Sequence, residues 1–442
     1  MTVGLSLLVF LLIFGPVVRS PLGAVADTSI ATSIMLVVWS MLKLRCINRS
    51  LALYGGIVVF LMLLAVLNSI VVSNYVDGQS VQTILRPLKA FVVFLSIYFI
   101  CRYSLRNVVL ANGPRQAYQK LLWIVYLSIV LQGVVIILQF AFPEFREFSY
   151  ALLWHEAEIH DVNMANRMPG FAGAGGAQVS AMQGIGFLLG THLFMSGRRL
   201  IVYLASSAIL VISIILTGRT GLLIVGVAAF YYIFFSSKGT HSNIANRVTL
   251  LLVIGASAAL TVVAFYYFGQ HYQIDWILLR TFDTVIRFQA EGVLHDHTLA
   301  ELWDMLIVPD SAAQLLLGDS LYLSNAAYSS DIGYVRLIFA YGIVGMVAHL
   351  LFYLAMAYQV SRRYVKELIG EDHAKLAVLV VLTMAVLNYK ELFIFTRMSF
   401  AITVFLAMAP VWIAQLRESV LSPIYQPRFP TKDGSPTFGQ PA

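Results

Sequence analysis

Long apolar runs separated by short polar turns dominate this chain, and those runs set its architecture. Stretches of about 17 to 25 mostly apolar residues are long enough to cross ~30 Å of hydrocarbon as a helix. They fall near 3–18, 24–44, 51–73, 84–101, 121–141 and 171–195, and again near 200–217, 219–236, 248–268, 332–358, 374–392 and 395–414. The pattern predicts an all-α polytopic membrane protein of about twelve helices, forming one transmembrane domain over residues 1–416. A polar, Pro-rich tail follows over 417–442, of a composition that predicts disorder.

Two intervening stretches, 142–170 and 269–331, are too long to be turns. The first, FPEFREFSYALLWHEAEIHDVNMANRMPG, interleaves acids with aromatics and predicts a short amphipathic helix at the membrane interface. In the second, WILLRTFDTVIRFQAEG places Leu278, Phe282, Val285 and Ile286 on one helical face and Arg280, Asp283, Arg287 and Glu291 on another. Thr298 and Glu301 then have capping-box spacing ahead of LAELWDMLI. A loop of this length with its own helices reads as an ordered lid over the membrane domain.

Composition agrees with that picture: 59% of the 442 residues are hydrophobic and only 12% are charged. Such a chain cannot give a soluble globule an ordinary polar surface. The net charge of +7 reads as the basic flanks of membrane spans and not as a nucleic-acid surface. Of the 29 Lys and Arg, 18 fall on one side of the predicted alternation: Lys43, Arg45, Arg49, Arg102, Arg106, Arg115, Lys120, Arg198, Arg199, Lys238, Arg247, Arg362, Arg363, Lys366, Lys375, Arg417, Arg428 and Lys432. The positive-inside rule makes that side cytoplasmic and places both termini there. Ala24-Val25-Ala26 has the form of a signal-peptidase site, but no positive charge precedes the apolar run, and the alternation reads residues 3–18 as a span. Cys46 and Cys101 both fall on the cytoplasmic side and imply no disulfide framework.

Eleven basic residues remain on the other side: Arg19, Arg86, Lys89, Arg146, Arg167, Arg219, Arg280, Arg287, Arg336, Lys390 and Arg397. Charge in or near hydrocarbon costs about 2.5–3.5 kcal/mol per residue on the insertion scale, so these cations need acidic partners or a polar cavity. Arg86 and Lys89 share a helix face, and Arg219 stands in TGRTG between two short spans, where the turn dips toward the membrane. Each arginine can snorkel or pair with an acid, but as a set they suit a diphosphate, because guanidinium grips phosphate oxygens bidentately. Other clusters carry less. His295-Asp296-His297 lacks a third metal ligand at helical spacing. Glu156, Glu158 and Asp161 with His155 and His160 read as a solvated acidic face. GFAGAGGAQ (170–178) lacks the Lys-Ser/Thr of a phosphate loop and reads as close helix packing.

Three local features, in order, carry a family resemblance. They are ILTGRTGLLIVG (215–226), the long loop after the ninth span, and SDIGYVRLIFAYGIVG (330–345) directly after that loop. Together they resemble the Wzy-type polymerases of lipid-linked polysaccharides, relatives of the O-antigen ligases. The resemblance implies a metal-independent glycosyltransferase of GT-C type without a cofactor, acting at the periplasmic face of a bacterial inner membrane. It would transfer a growing glycan from undecaprenyl diphosphate to the nonreducing sugar of a new lipid-linked repeat, with a chain-length regulator as a further partner. The ligase pattern, His-Asn then nine residues then Gly-x-x-Gly, falls on Asp331 and Ile332 here; the missing histidine favours polymerase over ligase.

That chemistry asks for one base to take the acceptor hydroxyl proton and for cations on the departing diphosphate. The resemblance makes Asp331 the candidate base, although its position before IGYVRL equally suits a helix N-cap. Arg219, Arg280, Arg287 and Arg336 are candidates for diphosphate or glycan contacts, with Arg167 and Arg397 behind them. Tyr334, Tyr341 and Trp303 are candidate sugar-stacking or interfacial aromatics. Gly342 and Gly345 read as a small-residue packing face. Rival readings are a polysaccharide lipid flippase or secondary transporter, a peptidoglycan glycosyltransferase of the SEDS group, and the ligase itself.

Overall fold

A computed structural model describes residues 2–19, 25–41, 49–71, 78–153, 168–172, 176–197, 200–235, 242–268, 302–320 and 330–421. Helix α1 (Thr2–Phe14) leads into a hairpin of β1 (Val17–Arg19) and β2 (Val25–Asp27), antiparallel with Val18 opposite Ala26. Then come α2 (Thr28–Met41), α3 (Arg49–Val71), α4 (Gly78–Phe99) with a π-helical turn over Ile100–Ser104, α5 (Arg106–Asn112), α6 (Pro114–Ala141) and α7 (Pro143–Leu152). The next are α8 (Ala177–Gly197), α9 (Leu200–Thr217), α10 (Thr220–Phe230), continued by a π-helical turn, α11 (Ser242–Phe268) and the short α12 (Ala312–Leu317). Last come α13 (Gly333–Ser361), α14 (Arg363–Ile369), α15 (Glu371–Leu387), α16 (Arg397–Ala407) and α17 (Ala409–Leu421).

The protein is an all-α membrane-embedded bundle. Among the described residues, seven helices are long and apolar enough to cross a bilayer, and Val3–Phe14, Thr28–Ser40 and Thr220–Phe234 are shorter apolar helices. Burial separates axis from periphery: 94% of the apolar window in Arg397–Arg417 is buried, against 28% in Arg247–Tyr267. The pair α16 and α17 is therefore the axis, touching α1, α4, α6, α13 and α15, while α11 leans on α9 at the rim. Tyr54, Phe94, Phe352 and Trp412 interlock around that axis, Phe94 meeting Trp412 edge-on at 5.0 Å. The stretch 142–170, expected to carry a short amphipathic helix, contains the short helix α7, with Phe148 and Leu152 exposed.

One end of the bundle, which carries Asp331 and is the upper end below, is built from interrupted helices. Pro87 lies inside α4 and has no N–H to give the carbonyl of Thr83 four residues earlier. The Tyr341 hydroxyl donates to that carbonyl instead, at 2.6 Å. One residue later, α13 itself breaks: Gly342 has φ +66° and ψ −178°. Tyr341→Phe should lower thermal stability by about 1–3 kcal/mol, because it strands a buried carbonyl; unfolding in detergent reads the change.

The break corrects the packing role expected for Gly342. The glycine lets another chain segment in, because a Cβ on Gly342 would stand 2.1 Å from the Leu316 carbonyl oxygen, and one on Gly318 would stand 2.6 Å from the Gly342 nitrogen. The end of α12 thus presses its backbone into the gap in α13. Asp319 N–H donates to Phe339 O at 2.8 Å, and Thr83 Oγ1 donates to Ser320 O at 2.8 Å. Irregular backbone of this kind is tolerated in a membrane protein where protein covers it.

The opposite end is tied by a buried chain in which His192 Nδ1 meets the Tyr232 hydroxyl at 2.9 Å and His192 Nε2 meets His373 Nδ1 at 2.6 Å. It joins α8, the turn after α10, and α15.

Candidate functional site

Asp331 and Arg336 come together. Helix α13 starts at Gly333 with Ile332 at its N-cap and no side-chain cap bond, so the N-cap reading of Asp331 does not hold. The carboxylate folds forward instead, and Arg336 Nη2 donates to Asp331 Oδ1 at 3.1 Å. Arg336 Nε donates to Ser330 O at 2.6 Å, while the Ser330 hydroxyl donates to Met305 O at 2.9 Å and accepts from Ile332 N–H at 3.2 Å. One guanidinium therefore holds both the preceding backbone and the acid. The pair faces outward, with side-chain exposures of 66% for Asp331 and 25% for Arg336. Its floor is an apolar patch where Leu302, Met305 and Ile307 pack on Ile332, Val335 and Phe339. The described end of the long loop is thus docked on α13, and the described part of LAELWDMLI is helical over 302–304.

A run of contacts leads from this pair across the upper end. A Cβ on Gly333 would lie 2.7 Å from both Asn388 oxygens, so only glycine lets α13 start against the turn after α15. Asn388 Oδ1 accepts from Phe393 and Ile394 N–H at 2.9 and 3.1 Å, and Gln178 Nε2 donates to Leu392 O at 3.1 Å. Two residues on, Ser180 Oγ donates to Gly218 O at 2.8 Å and accepts from Gly221 N–H at 2.9 Å. This clasp fixes the turn that presents half-buried Arg219. Of the two TGRTG glycines, Gly221 is the one packing demands: a Cβ there would sit 2.2 Å from Ser180 O, whereas one on Gly218 would meet Ser180 Cβ at 3.3 Å and the Gly176 backbone at 3.4 Å, near ordinary contact. Within 170–178, Gly170 is closely packed: a Cβ there would stand 2.3 Å from Gln132 Nε2.

Arg397 opens α16 at the same end and pairs with Asp27 at 3.0 Å, the acid whose Oδ1 also caps α2 through Ser29 N–H at 2.9 Å. Asp27 was not among the expected site residues, and it makes Arg397 a strut between α2 and α16. Tyr334 gives its hydroxyl to Ala385 O and its ring to the patch under the ion pair, so it anchors α13 to α15. Tyr341 is fully buried, and Trp303 is exposed on the docked loop end. Arg167, Arg280 and Arg287, the capping box at 298–301, and the His295 and Glu156 clusters lie outside the described residues. Among the described residues, no three His, Cys, Asp or Glu side chains group as a metal site.

Two buried glutamines escaped the sequence reading. Gln132 and Gln139, two turns apart on α6, clamp the backbone of 169–171. Gln132 binds Pro169 O at 2.9 Å and Phe171 N–H at 3.1 Å, and Gln139 binds Gly170 N–H at 2.9 Å and its carbonyl at 3.1 Å. Each amide satisfies a donor and an acceptor, which lets a non-helical loop sit inside the bundle. A glutamine seven residues after another in an apolar span was the available signal.

The chain matches no protein-family model, and no curated protein matches it.

Proposed function

We propose that this protein polymerises lipid-linked oligosaccharide repeats, as the resemblance to Wzy-type polymerases implies. In this reading, twelve crossings place both termini in the cytoplasm and the upper end at the periplasmic face of the inner membrane. The growing glycan leaves its undecaprenyl diphosphate as the sugar hydroxyl of a new repeat attacks the anomeric carbon. Asp331 takes the hydroxyl proton, and Arg336, with Arg219, offsets charge on the departing diphosphate. The observation that carries the reading is the exposed Asp331–Arg336 pair at the seam between the long loop and α13. A carboxylate open to a bulky sugar, held beside a guanidinium with donors to spare, is the minimal equipment for such a transfer.

A carrier reading has one observation in its favour, the break in α13, since discontinuous helices line substrate sites in many transporters. The two separate cleanly. Purified protein given synthetic undecaprenyl-diphosphate repeats should build a ladder of lipid-linked oligomers. Asp331→Asn, which keeps an oxygen for Arg336, should slow it by about 10²–10⁴-fold, the usual worth of a general base. A normal ladder from that variant would remove Asp331 as base. Folded protein that builds none, in cells that trap single repeats inside, would point to a flippase.

A further inference from the structure

We infer that the end of the bundle opposite Asp331 docks an anionic phospholipid, whose phosphate is held by a collar of Arg106, Arg115, Lys120 and Lys366. The inference does not depend on the glycan reading above.

Two short helices of matching build frame the collar. Helix α5 buries Val108 and Val109 and ends at Gly113, with φ +85°; α14 buries Val365 and Ile369 and ends at Gly370, with φ +100°. Each turns the chain from one long helix into the next, and both rest on α6 and α17. Arg106 opens α5 and Lys366 lies in the last turn of α14, while Arg115 and Lys120 lie in the first turns of α6. A Cβ on Gly370 would stand 3.5 Å from Arg115 Nε, which brings that guanidinium against the joint after α14.

Charge here is out of balance. Glu367 is taken by Arg363 at 2.8 Å and Glu371 by Lys375 at 2.9 Å. Among the described residues, none of Arg106, Arg115, Lys120 and Lys366 pairs with an acid, and Arg362 leans on the Tyr364 ring at 5.0 Å. Lys120 and Lys366 are nevertheless half-buried. Holding ammonium groups partly out of water among other cations is unfavourable, and an anion arriving from outside relieves it.

The adjoining surface decides which anion. Leu127 and Leu131 repeat the face of Lys120 along α6, Tyr358 stands one turn before Arg362 on α13, and all three are exposed. The cations therefore border apolar surface that runs on along the long helices. A phosphate carried on acyl chains answers both parts, its head meeting the guanidinium and ammonium groups and its tails covering the leucines. Free phosphate or an acidic peptide would leave the apolar part bare.

The test uses purified full-length protein in a zwitterionic detergent, titrated with phosphatidylglycerol, phosphatidylcholine or inorganic phosphate. Phosphatidylglycerol should raise the unfolding temperature saturably, and the other two should not. Arg106→Gln, Arg115→Gln, Lys120→Gln and Lys366→Gln should each weaken the apparent affinity about fivefold, the worth of one cation at a membrane surface. All four together should abolish the shift. Arg146→Gln on α7, beyond the far end of α6, removes the same charge elsewhere and should keep it. Should the fourfold variant fail to fold, native mass spectrometry decides: wild-type protein should retain phosphatidylglycerol over phosphatidylcholine, and Arg115→Gln should retain less. No shift with phosphatidylglycerol, an equal shift with either other probe, a shift that survives the fourfold variant or is lost in Arg146→Gln, or retention without preference overturns the site.

Discussion

Gly342→Ala should be the most damaging single-methyl change at the upper end, sharply reducing folded yield and unfolding temperature. Its φ of +66° with ψ −178° belongs to a region essentially reserved for glycine, where another residue costs about 1–3 kcal/mol. The added Cβ would also lie 2.1 Å from Leu316 O and 2.5 Å from Leu317 N, and both are backbone atoms. Those atoms cannot yield cheaply, because Asn68 holds Leu317 O and Thr83 holds Ser320 O at 2.8 Å. Overpacking adds about another 1–3 kcal/mol. Gly226→Ala in α10 is the control: nothing lies within 4 Å of its Cβ and its φ is ordinary, so stability should be unchanged or slightly higher. Fluorescence-detected size exclusion after graded heating measures both. Equal melting of the two variants would mean that α12 does not occupy the break.

Spans were legible because a bilayer imposes a length on each apolar run, and the predicted 332–358 and the observed Gly333–Ser361 differ by a few residues. The interruptions were less legible. A proline inside a span signals a kink, and the consequence of Pro87 needs Tyr341, 254 positions later in the chain, to answer the orphaned carbonyl. Gly342 and Gly345 had small-residue spacing, which reads alike for a packing face and for a break. Only the positive φ, imposed by α12 arriving from the other side, separates the two. Asp331 stands just before a helix, as expected, and of its two readings, base and N-cap, the cap one fails, since the cap position falls one residue later and Arg336 offers the carboxylate a charged partner. Gln132 and Gln139 were signalled only by their seven-residue spacing in an apolar span, and Asn68 by nothing local, because their partners are backbone groups far along the chain.

Arg336 should carry the largest effect on activity under the polymerase reading. Nε and one Nη2 proton are committed to Ser330 O and Asp331, which leaves three N–H donors for an incoming phosphate among the described contacts. Arg336→Ala removes both the charge and the clamp, and loss of one charge-stabilising donor group in a transfer site costs about 10²–10³-fold in rate. Arg336→Lys keeps a charge but cannot span Ser330 O and Asp331 with a planar fork, so it should recover only part of the loss. Combining Arg336→Ala with Asp331→Asn distinguishes the two jobs. Were the arginine only to position the carboxylate, the double variant would be no slower than the worse single one, because the second change would find nothing left to remove. Losses that multiply would mean that Arg336 meets the diphosphate on its own account. Ladder formation by protein of matched folded fraction is the measurement, and a normal ladder from Arg336→Ala would take the site away from this end of α13.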